Sequence, residues 1–579
     1  MKRNRTYLAR LGALVLAAAM LTGCAGQPGG STEGTAGITA DVKTGAGTAQ
    51  GENLPVDESG NPDPLGRYQE PVSLKIAQTV NPTIPFPEGQ TATDNAFFDY
   101  LKEAMNIEVE VMWQAGSADD YNEKLNLAIS SGELPDLFSV DGPQLKMLMA
   151  SGMLEDITES YEIYASDRVK MAIDSTEGKA MEAVSYDGAM MALPNVKAMK
   201  DGYDLLWIRQ DWLEELGLEV PKTIDEIRTT AKSFIDHQMG GDKTIGLLSP
   251  SSGSSLYANF LKSSAVMCGL GGIFQANRAF PGYWIKDENG ETVYGSLTQE
   301  TKETLQILAD MYQEGTLDPE LGTRKDADEA WKSGRAGMFF GPWWVGYNLK
   351  DALANDPGAD WQAYPYPLTE DGKWSAHMMN PSDTFCVIRK GYGHPEILIL
   401  MNNYYQRDAA KVDTMGVDLG LLPARLLLNI AKQKESDAEI LKKYLETDTV
   451  PDYDKDEHNL MQNDLDTVKG AKLEPYDDYG IENWNIEDTN FPRLYSILVG
   501  VGAIDKGYET GCEETYSDLY WQTDSMQRKW SNLQKLEDEM FLKMILGTVS
   551  IDEFDQFAAD WESQGGADIT KEVREAVHK

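Results

Sequence analysis

Basic residues are scarce in this chain of 579: 51 Lys and Arg stand against 94 Asp and Glu, a formal net charge of -43. That sign excludes a nucleic-acid binder, whose affinity comes from neutralising phosphates. It also opposes docking on an anionic lipid surface by charge alone. The acidity itself reads as solubility and resistance to association, which fits a monomer. Histidine and cysteine are rarer still, 5 and 4 residues, and the cysteine spacings match no zinc pattern. His-Glu-x-x-His, a phosphate-cradling Gly-rich loop with Lys, and a Gly-x-Ser-x-Gly elbow are all missing. Glycoside hydrolysis needs two acids at a set separation, and among 94 acidic residues any chosen pair is arbitrary. The expectation is a protein that is no enzyme and carries no cofactor. Beyond residue 23 no run is long and apolar enough to span a bilayer, which takes roughly 20 residues.

The first residues have a different character. Lys2, Arg3, Arg5 and Arg10 form a positive segment, Leu11 to Leu21 an apolar one, and Thr22-Gly23-Cys24 a small-residue end. An apolar stretch of this length fits a secretory leader better than a spanning helix. Leu21-Thr22-Gly23-Cys24 resembles the bacterial lipobox, which implies lipid transfer to the Cys24 thiol and cleavage before it. Several acyl chains hold a protein to a membrane far better than one. Residues 1–23 are therefore expected to be a signal peptide, and 24–70 a lipidated cysteine with a flexible linker poor in large apolar residues. Apart from Cys24, Cys268, Cys386 and Cys512 remain, enough for at most one internal bridge; buried thiols are the alternative.

The remaining chain is too long for one core, so two or more lobes are expected. Val72 to Ala77 alternates as a strand, Phe97 to Met105 follows as a helix, and Ile107 to Met112 as a strand. Tyr121, Leu125, Ala128 and Ile129 share a helical face stopped by Gly132, before a short strand over Asp136 to Val140. Thr223 with Glu226, and Ser550 with Glu553, are spaced as capping boxes. Strands alternating with helices predict an α/β fold.

Several segments together carry a family resemblance. Ser130-Ser-Gly-Glu-Leu-Pro-Asp-Leu-Phe138, Ser151 to Ile157, Tyr186 to Pro194, Leu206 to Thr223 and Trp331 to Trp344 resemble, in order and spacing, extracellular solute-binding proteins of the maltose-binding type. The resemblance implies a two-lobe periplasmic-binding-protein-like fold with a hinge and an interlobe ligand cleft. Carried over, lobe one holds 71–196 plus 376–435 and lobe two 197–375 plus 436–579. It further implies capture of a carbohydrate, an oligosaccharide more than a monosaccharide, for the permease subunits of an ABC transporter. A peptide or other polar solute, or a sensor or adhesin without transport, is the alternative.

A sugar ring offers an apolar C–H face to aromatic rings and a hydroxyl rim to carboxylates, amides and arginine. The resemblance accordingly implies ligand contacts at Trp113, Asp141, Asn195, Trp343, Trp344, Trp484 and Tyr495, while Trp207, Trp212, Trp530 and Trp561 have core spacing. Many relatives of this size carry a calcium loop after the helix matching Thr223–Asp236. Here His237-Gln-Met-Gly-Gly-Asp-Lys-Thr244 has too few oxygen donors for the 6–8 that calcium takes, so no metal is expected. Asp287-Glu-Asn-Gly290 reads as a hairpin turn.

Overall fold

The computed structural model describes residues 53–80, 86–416, 425–431, 433–455, 458, 461–471, 479–489 and 491–577. Cys24 and the signal segment lie outside them.

The chain starts in lobe one with β1 (Val72–Thr79), whose Val72, Leu74 and Ile76 point inward and whose Ser73 and Lys75 are exposed. A helix over Ala96–Met105 is capped by Asn95 and ends at Asn106 in the left-handed region, φ 62°. It leads to β2 (Ile107–Ala115), which pairs parallel with β1. The helix Ala118–Ser131 stops at Gly132, φ 74°, a conformation glycine adopts without strain. After it comes β3 (Leu137–Val140), parallel to β1 on its other side. A hairpin of Ser185–Tyr186 with Ala189–Met190 precedes β4 (Leu193–Pro194).

Beyond Val196 the chain enters lobe two. There β5 (Leu205–Arg209), β6 (Ile245–Leu247), β7 (Ala336–Gly341) and β8 (Trp361–Tyr364) form a sheet ordered β8-β5-β7-β6. β9 (Trp374–His377) stays in lobe two and pairs much later with the final strand. β10 (Phe385–Ile388) then returns to lobe one, antiparallel between β3 and β4. Lobe one's sheet therefore reads β2-β1-β3-β10-β4. In lobe two β11 (Cys512–Thr515) runs parallel to β9. Helices complete that lobe, the longest over Asp524–Ile545. One apolar core fills lobe one, and two large ones plus a small satellite fill lobe two.

Three chain segments run side by side between the lobes. Val196 N–H donates to Leu427 O at 2.8 Å and Met199 N–H to Ala431 O at 3.2 Å, while Lys197 N–H donates to Pro381 O at 2.9 Å. These contacts correct the expected boundaries. Trp374, Ala376, Met378 and Met379 are buried in a lobe-two core, so the return falls near residues 380–384 instead of at 376. Ala431 also packs in that core, which ends lobe one's second segment near Leu428 instead of 435.

The linker reading of 53–70 needs the same correction. Tyr68 is fully buried and donates to Glu396 Oε1 at 2.8 Å. Asn403 Nδ2 and Tyr404 hydroxyl satisfy the carbonyls of Pro64 and Leu65 at 2.7 and 2.6 Å. A segment poor in apolar residues is held here by one aromatic and by hydrogen bonds to its backbone.

Local signals fared unevenly. The box of Thr223 and Glu226 forms as spaced. Ser550 instead accepts from Asp552 N–H at the start of a 3-10 turn, Ile551–Glu553, and the α-helix Phe554–Trp561 follows. Trp207, Trp212, Trp530 and Trp561 are all core.

Candidate ligand cleft

In open α/β sheets, ligands gather outside the carboxyl ends of the strands. Trp113 lies near that end of β2, half-buried, with its ring 5.1 Å from Tyr121. The Tyr121 hydroxyl donates to Ser139 O and accepts from Ser139 N–H, each at 3.2 Å, so the ring is fixed to β3. Burial pushes that phenol's pKa well up. Asp141 directly follows β3 and caps the helix Gly142–Ala150. Its Oδ1 accepts Gln144 N–H at 2.9 Å, and Gln144 Oε1 accepts Asp141 N–H at 3.1 Å. Burial raises the Asp141 pKa while the cap lowers it, and burial wins. The cap occupies one carboxylate oxygen, so Asp141 is first a helix N-cap.

Across the crossings, β7 ends at Gly341 and Trp343 begins a 3-10 turn. Trp207 Nε1 holds the Pro342 carbonyl at 3.1 Å just before it. Gly500 lets a second chain segment abut Trp343: an added Cβ would stand 2.2 Å from the Trp343 carbonyl oxygen. The Trp343 indole N–H donates to Asp201 Oδ1 at 2.7 Å, Lys200 Nζ lies 4.9 Å from the ring centroid, and Tyr347 meets the ring edge-on at 6.0 Å. Trp343 is half-buried, and Trp344 and Tyr347 are exposed. An aromatic group thus stands beside the first crossing.

Asn195 does different work. Its Oδ1 accepts from Asp383 N–H at 2.9 Å and Thr384 N–H at 3.1 Å, and its Nδ2 donates to Asp383 Oδ1 at 2.9 Å. Lys197 Nζ takes the other Asp383 oxygen at 2.8 Å, and its charge helps hold that carboxyl below its usual range against the effect of burial. Asn195 ties two crossings together, a structural role that its reading as a ligand contact did not include.

Trp484 and Tyr495 also have structural roles. Tyr495 has no exposed surface and donates to Trp361 O at 2.7 Å. Trp484 lies 5.1 Å from it and donates to Tyr479 O at 2.9 Å. Both are buried in a lobe-two core, apart from the open rings of Trp343 and Trp344.

The sequence reading missed the loop after β11. Gly142 of lobe one faces Trp521, at 3.5 Å from an added Cβ, and lobe-one lysines lie over Tyr516 and Trp521. The signal was present: Tyr516-Ser-Asp-Leu-Tyr-Trp521 packs three aromatics into six residues directly after a strand.

Cys268 and Cys386 are buried and Cys512 is half-buried, all as free thiols. Burial pushes the Cys386 thiol up to about 12. In the 237–244 loop Thr244 Oγ1 accepts from Gly240 N–H and donates to Gly241 O. Asp287 accepts from the N–H groups of Asn289 and Glu291 in a hairpin turn. Among the described residues no group of three or more metal-binding side chains converges, and no helix is long and apolar enough to cross a membrane.

The sequence profile of bacterial extracellular solute-binding proteins matches residues 85–412. The chain belongs to this family. It is similar to the polygalacturonan/rhamnogalacturonan-binding protein YtcQ of Bacillus subtilis, 22% identical over 82% of this chain and 86% of that one. It also resembles the fructooligosaccharide ABC transporter substrate-binding protein FusA of Streptococcus pneumoniae, 28% identical over 30% of this chain and 33% of that one. Among solved structures, the HMO-binding, ABC-transporter-associated solute-binding protein of Bifidobacterium longum infantis superposes with a TM-score of 0.54, at 13% identity over 88% of this chain and 98% of that one. The two-lobe binding-protein fold is thereby shown.

Proposed function

We propose that this protein is tethered outside the cytoplasmic membrane of a Gram-positive bacterium through a lipid on Cys24, captures an oligosaccharide between its lobes, and delivers it to the permease subunits of an ABC importer without catalysing a reaction. The observation that carries the reading is the half-buried and exposed aromatic group Trp343, Trp344 and Tyr347, placed after the carboxyl end of β7 and beside the first crossing. Flat rings left partly open at such a place suit the apolar face of a sugar. The relatives named for polygalacturonan and for fructooligosaccharides support a carbohydrate ligand. Trp113 and Asp141, at the strand ends of lobe one, supply the opposite wall. Closure is favoured by contacts that a ligand makes to both lobes at once.

Calorimetry against an oligosaccharide panel tests the reading, with small-angle scattering to follow compaction. Binding of a peptide with no oligosaccharide bound would overturn it. Membrane fractionation of Cys24→Ala tests the tether: the variant is expected in the soluble fraction, and its retention on the membrane refutes the anchor.

A further inference from the structure

The loop after β11 is bound to lobe two by its own hydrogen bonds. Trp284 N–H donates to Ser517 Oγ at 3.1 Å, and that hydroxyl donates to Leu519 O at 2.7 Å. Asp518 N–H donates to Trp284 O at 2.7 Å, and the Asp518 carboxylate takes the Thr292 hydroxyl at 2.6 Å and Lys286 Nζ at 2.9 Å. The Tyr520 hydroxyl accepts Ser517 N–H at 3.0 Å and donates to Met378 O at 2.9 Å. Among the described residues, no backbone hydrogen bond joins residues 516–521 to lobe one. What reaches across is the ring at each end of the loop, Tyr516 and Trp521.

Lobe one meets these rings with a face that is also built in advance. Trp521 packs on Gly142, its Cβ 3.5 Å from one built there, where the helix Gly142–Ala150 starts at its capping box. Lys146 Nζ, four residues on, stands 3.8 Å from the Trp521 ring centroid, and Lys179 Nζ stands 4.2 Å from that of Tyr516. Lys179 follows a turn in which Glu177 and Gly178 both have positive φ, 54° and 89°. The buried Thr176 secures that turn, donating from Oγ1 to Ile173 O at 2.7 Å and accepting Ala180 N–H at 3.1 Å. Charge at the Tyr516 pair is matched between protein groups. Beside Lys179, the carboxylates of Glu514 in lobe two and Glu177 in lobe one face the ring, and burial together with both pushes its phenol's pKa up.

We propose that loop 516–521 is a latch: its two rings dock on lobe one and hold the lobes together by direct contact, setting the balance between open and closed arrangements before a solute binds. A seam whose charges are matched between the lobes asks for no ion from a solute. Both faces are preorganised within their own lobes, so docking orders little that is not ordered already. One ring on a glycine and cations over two rings are worth little per contact. The latch therefore biases the balance without fixing it, and a solute that needs the closed arrangement finds a larger share of the chain ready. This property goes beyond solute capture and holds whatever the solute is.

Small-angle scattering of the Cys24→Ala chain without added sugar tests the latch, with a cross-link as the closed reference. A Cβ separation of 3.5 Å lies within the roughly 3.5–4.5 Å that a disulfide spans. Gly142→Cys with Trp521→Cys, combined with Cys512→Ser to remove the half-buried thiol, is expected to form one intramolecular disulfide on mild oxidation, read by mass spectrometry. The Cys24→Ala chain is expected to scatter like this cross-linked form. Tyr516→Ala with Trp521→Ala should shift the open-to-closed ratio about tenfold and raise the radius of gyration. Lys179→Met, on the opposite face, should move it the same way by less, which separates the latch from a folding fault in lobe two. A disulfide that does not form, or a radius of gyration that is the same with and without the rings, overturns the latch and leaves the carbohydrate reading standing.

Discussion

Of the 13 tryptophans, Trp113 alone belongs to lobe one, and it is half-buried. Lobe one fills its core with aliphatic residues, Phe and Tyr, while lobe two buries Trp207, Trp284, Trp331, Trp361, Trp374 and Trp561 almost completely. Buried charge divides the same way. In lobe one the buried Asp136 accepts from Arg389 Nη2 at 2.7 Å, and at the hinge the exposed Asp383 accepts from Lys197. Lobe two has ion pairs too, such as Asp318 with Arg324, but three of its buried carboxylates rely on neutral donors. Asp204 accepts from Gln275 at 2.8 Å, Glu537 from Tyr257 at 2.6 Å and Ser296 at 2.7 Å, and Asp360 from Gln362 at 2.7 Å. The second oxygens of Asp204 and Glu537 have no hydrogen-bond partner. Lobe one thus matches Asp136 with a cation, although its Glu396 takes the neutral Tyr68 hydroxyl, whereas the three lobe-two acids, raised by burial, hold their protons to higher pH.

The largest effect should come from the tryptophan core. Trp361 is fully buried, 5.0 Å from Phe339 and 5.9 Å from Trp331. Trp361→Ala is expected to cost about 3–5 kcal/mol, as large-to-small aromatic replacements do. Denaturation followed by tryptophan fluorescence reports almost entirely on lobe two and checks this directly. A midpoint unchanged from wild type would mean that lobe two does not depend on its tryptophans and would remove the contrast.

Protonation gives the next effect. Burial raises the carboxyls of Asp204, Asp360 and Glu537 to about 7, against roughly 4 in an unfolded chain. The folded state then holds protons that the unfolded chain has released, so the contribution of these three groups to stability is greatest below about pH 4 and falls as pH rises toward 7. His377 opposes this: burial lowers it to about 4, so the unfolded chain holds one extra proton between about pH 4 and 6.5. Asp538, which burial raises to about 6, acts with them, less strongly because solvent screens it, and four protons against one leave the carboxylates ahead, by a few kcal/mol in order of magnitude. Melting measured by tryptophan fluorescence should be several degrees higher at pH 5 than at pH 8, with Asp204→Asn and Glu537→Gln each flattening the slope. A flat profile would show cations or water where the structure has neutral donors.

The same contrast explains what could be read in the sequence. The strands and helices of lobe one's first segment follow from alternation and helical spacing, because short-range patterning decides which face is buried. Reading loop aromatics as ligand contacts does not separate open rings from buried ones: in lobe two Trp343 and Trp344 are open, whereas Trp484 and Tyr495 are buried. Trp484 and Tyr495 lie outside regular core patterns, yet the chain wraps them inward as filler. Asn195 was read for its hydrogen-bonding groups, but only the fold places Asp383 and Thr384 opposite it. The seam rings Tyr516 and Trp521 were missed because their partners lie more than 300 residues away. Periodicity carries no information at that separation.

A smaller effect separates ligand-facing tryptophan from filler. Trp343→Ala removes a ring that is only half-buried, so folding should change little while oligosaccharide affinity drops ten- to a hundredfold, about 1–3 kcal/mol. Trp484→Ala should do the reverse, lowering stability by about 3–5 kcal/mol. Calorimetry paired with thermal melts distinguishes the two, and a Trp343 variant that binds as tightly as wild type would place that ring with the filler.

The smallest expected effect is none: chelator should leave the melting temperature of either lobe unchanged. Calcium takes 6–8 oxygen ligands, and the loop after the helix Ile224–Asp236 spends its oxygens on itself. Thr244 Oγ1 bridges Gly240 N–H and Gly241 O, Gly241 turns the chain at φ 82°, and Asp242 is the loop's one carboxylate between His237 and Thr244. One carboxylate and a few carbonyls supply too little negative charge to hold a divalent cation against water. Asp287 stands without the further carboxylates a calcium site needs, since no group of three or more metal-binding side chains converges among the described residues, and its Oδ1 accepts the N–H groups of its own hairpin turn. Melts with and without EDTA, read by fluorescence for lobe two and by amide exchange for lobe one, test both lobes. A drop on chelation that calcium restores would locate a stabilising ion in one lobe, and that lobe's charge balance would then rest on a metal as well as on lysine, arginine or protons.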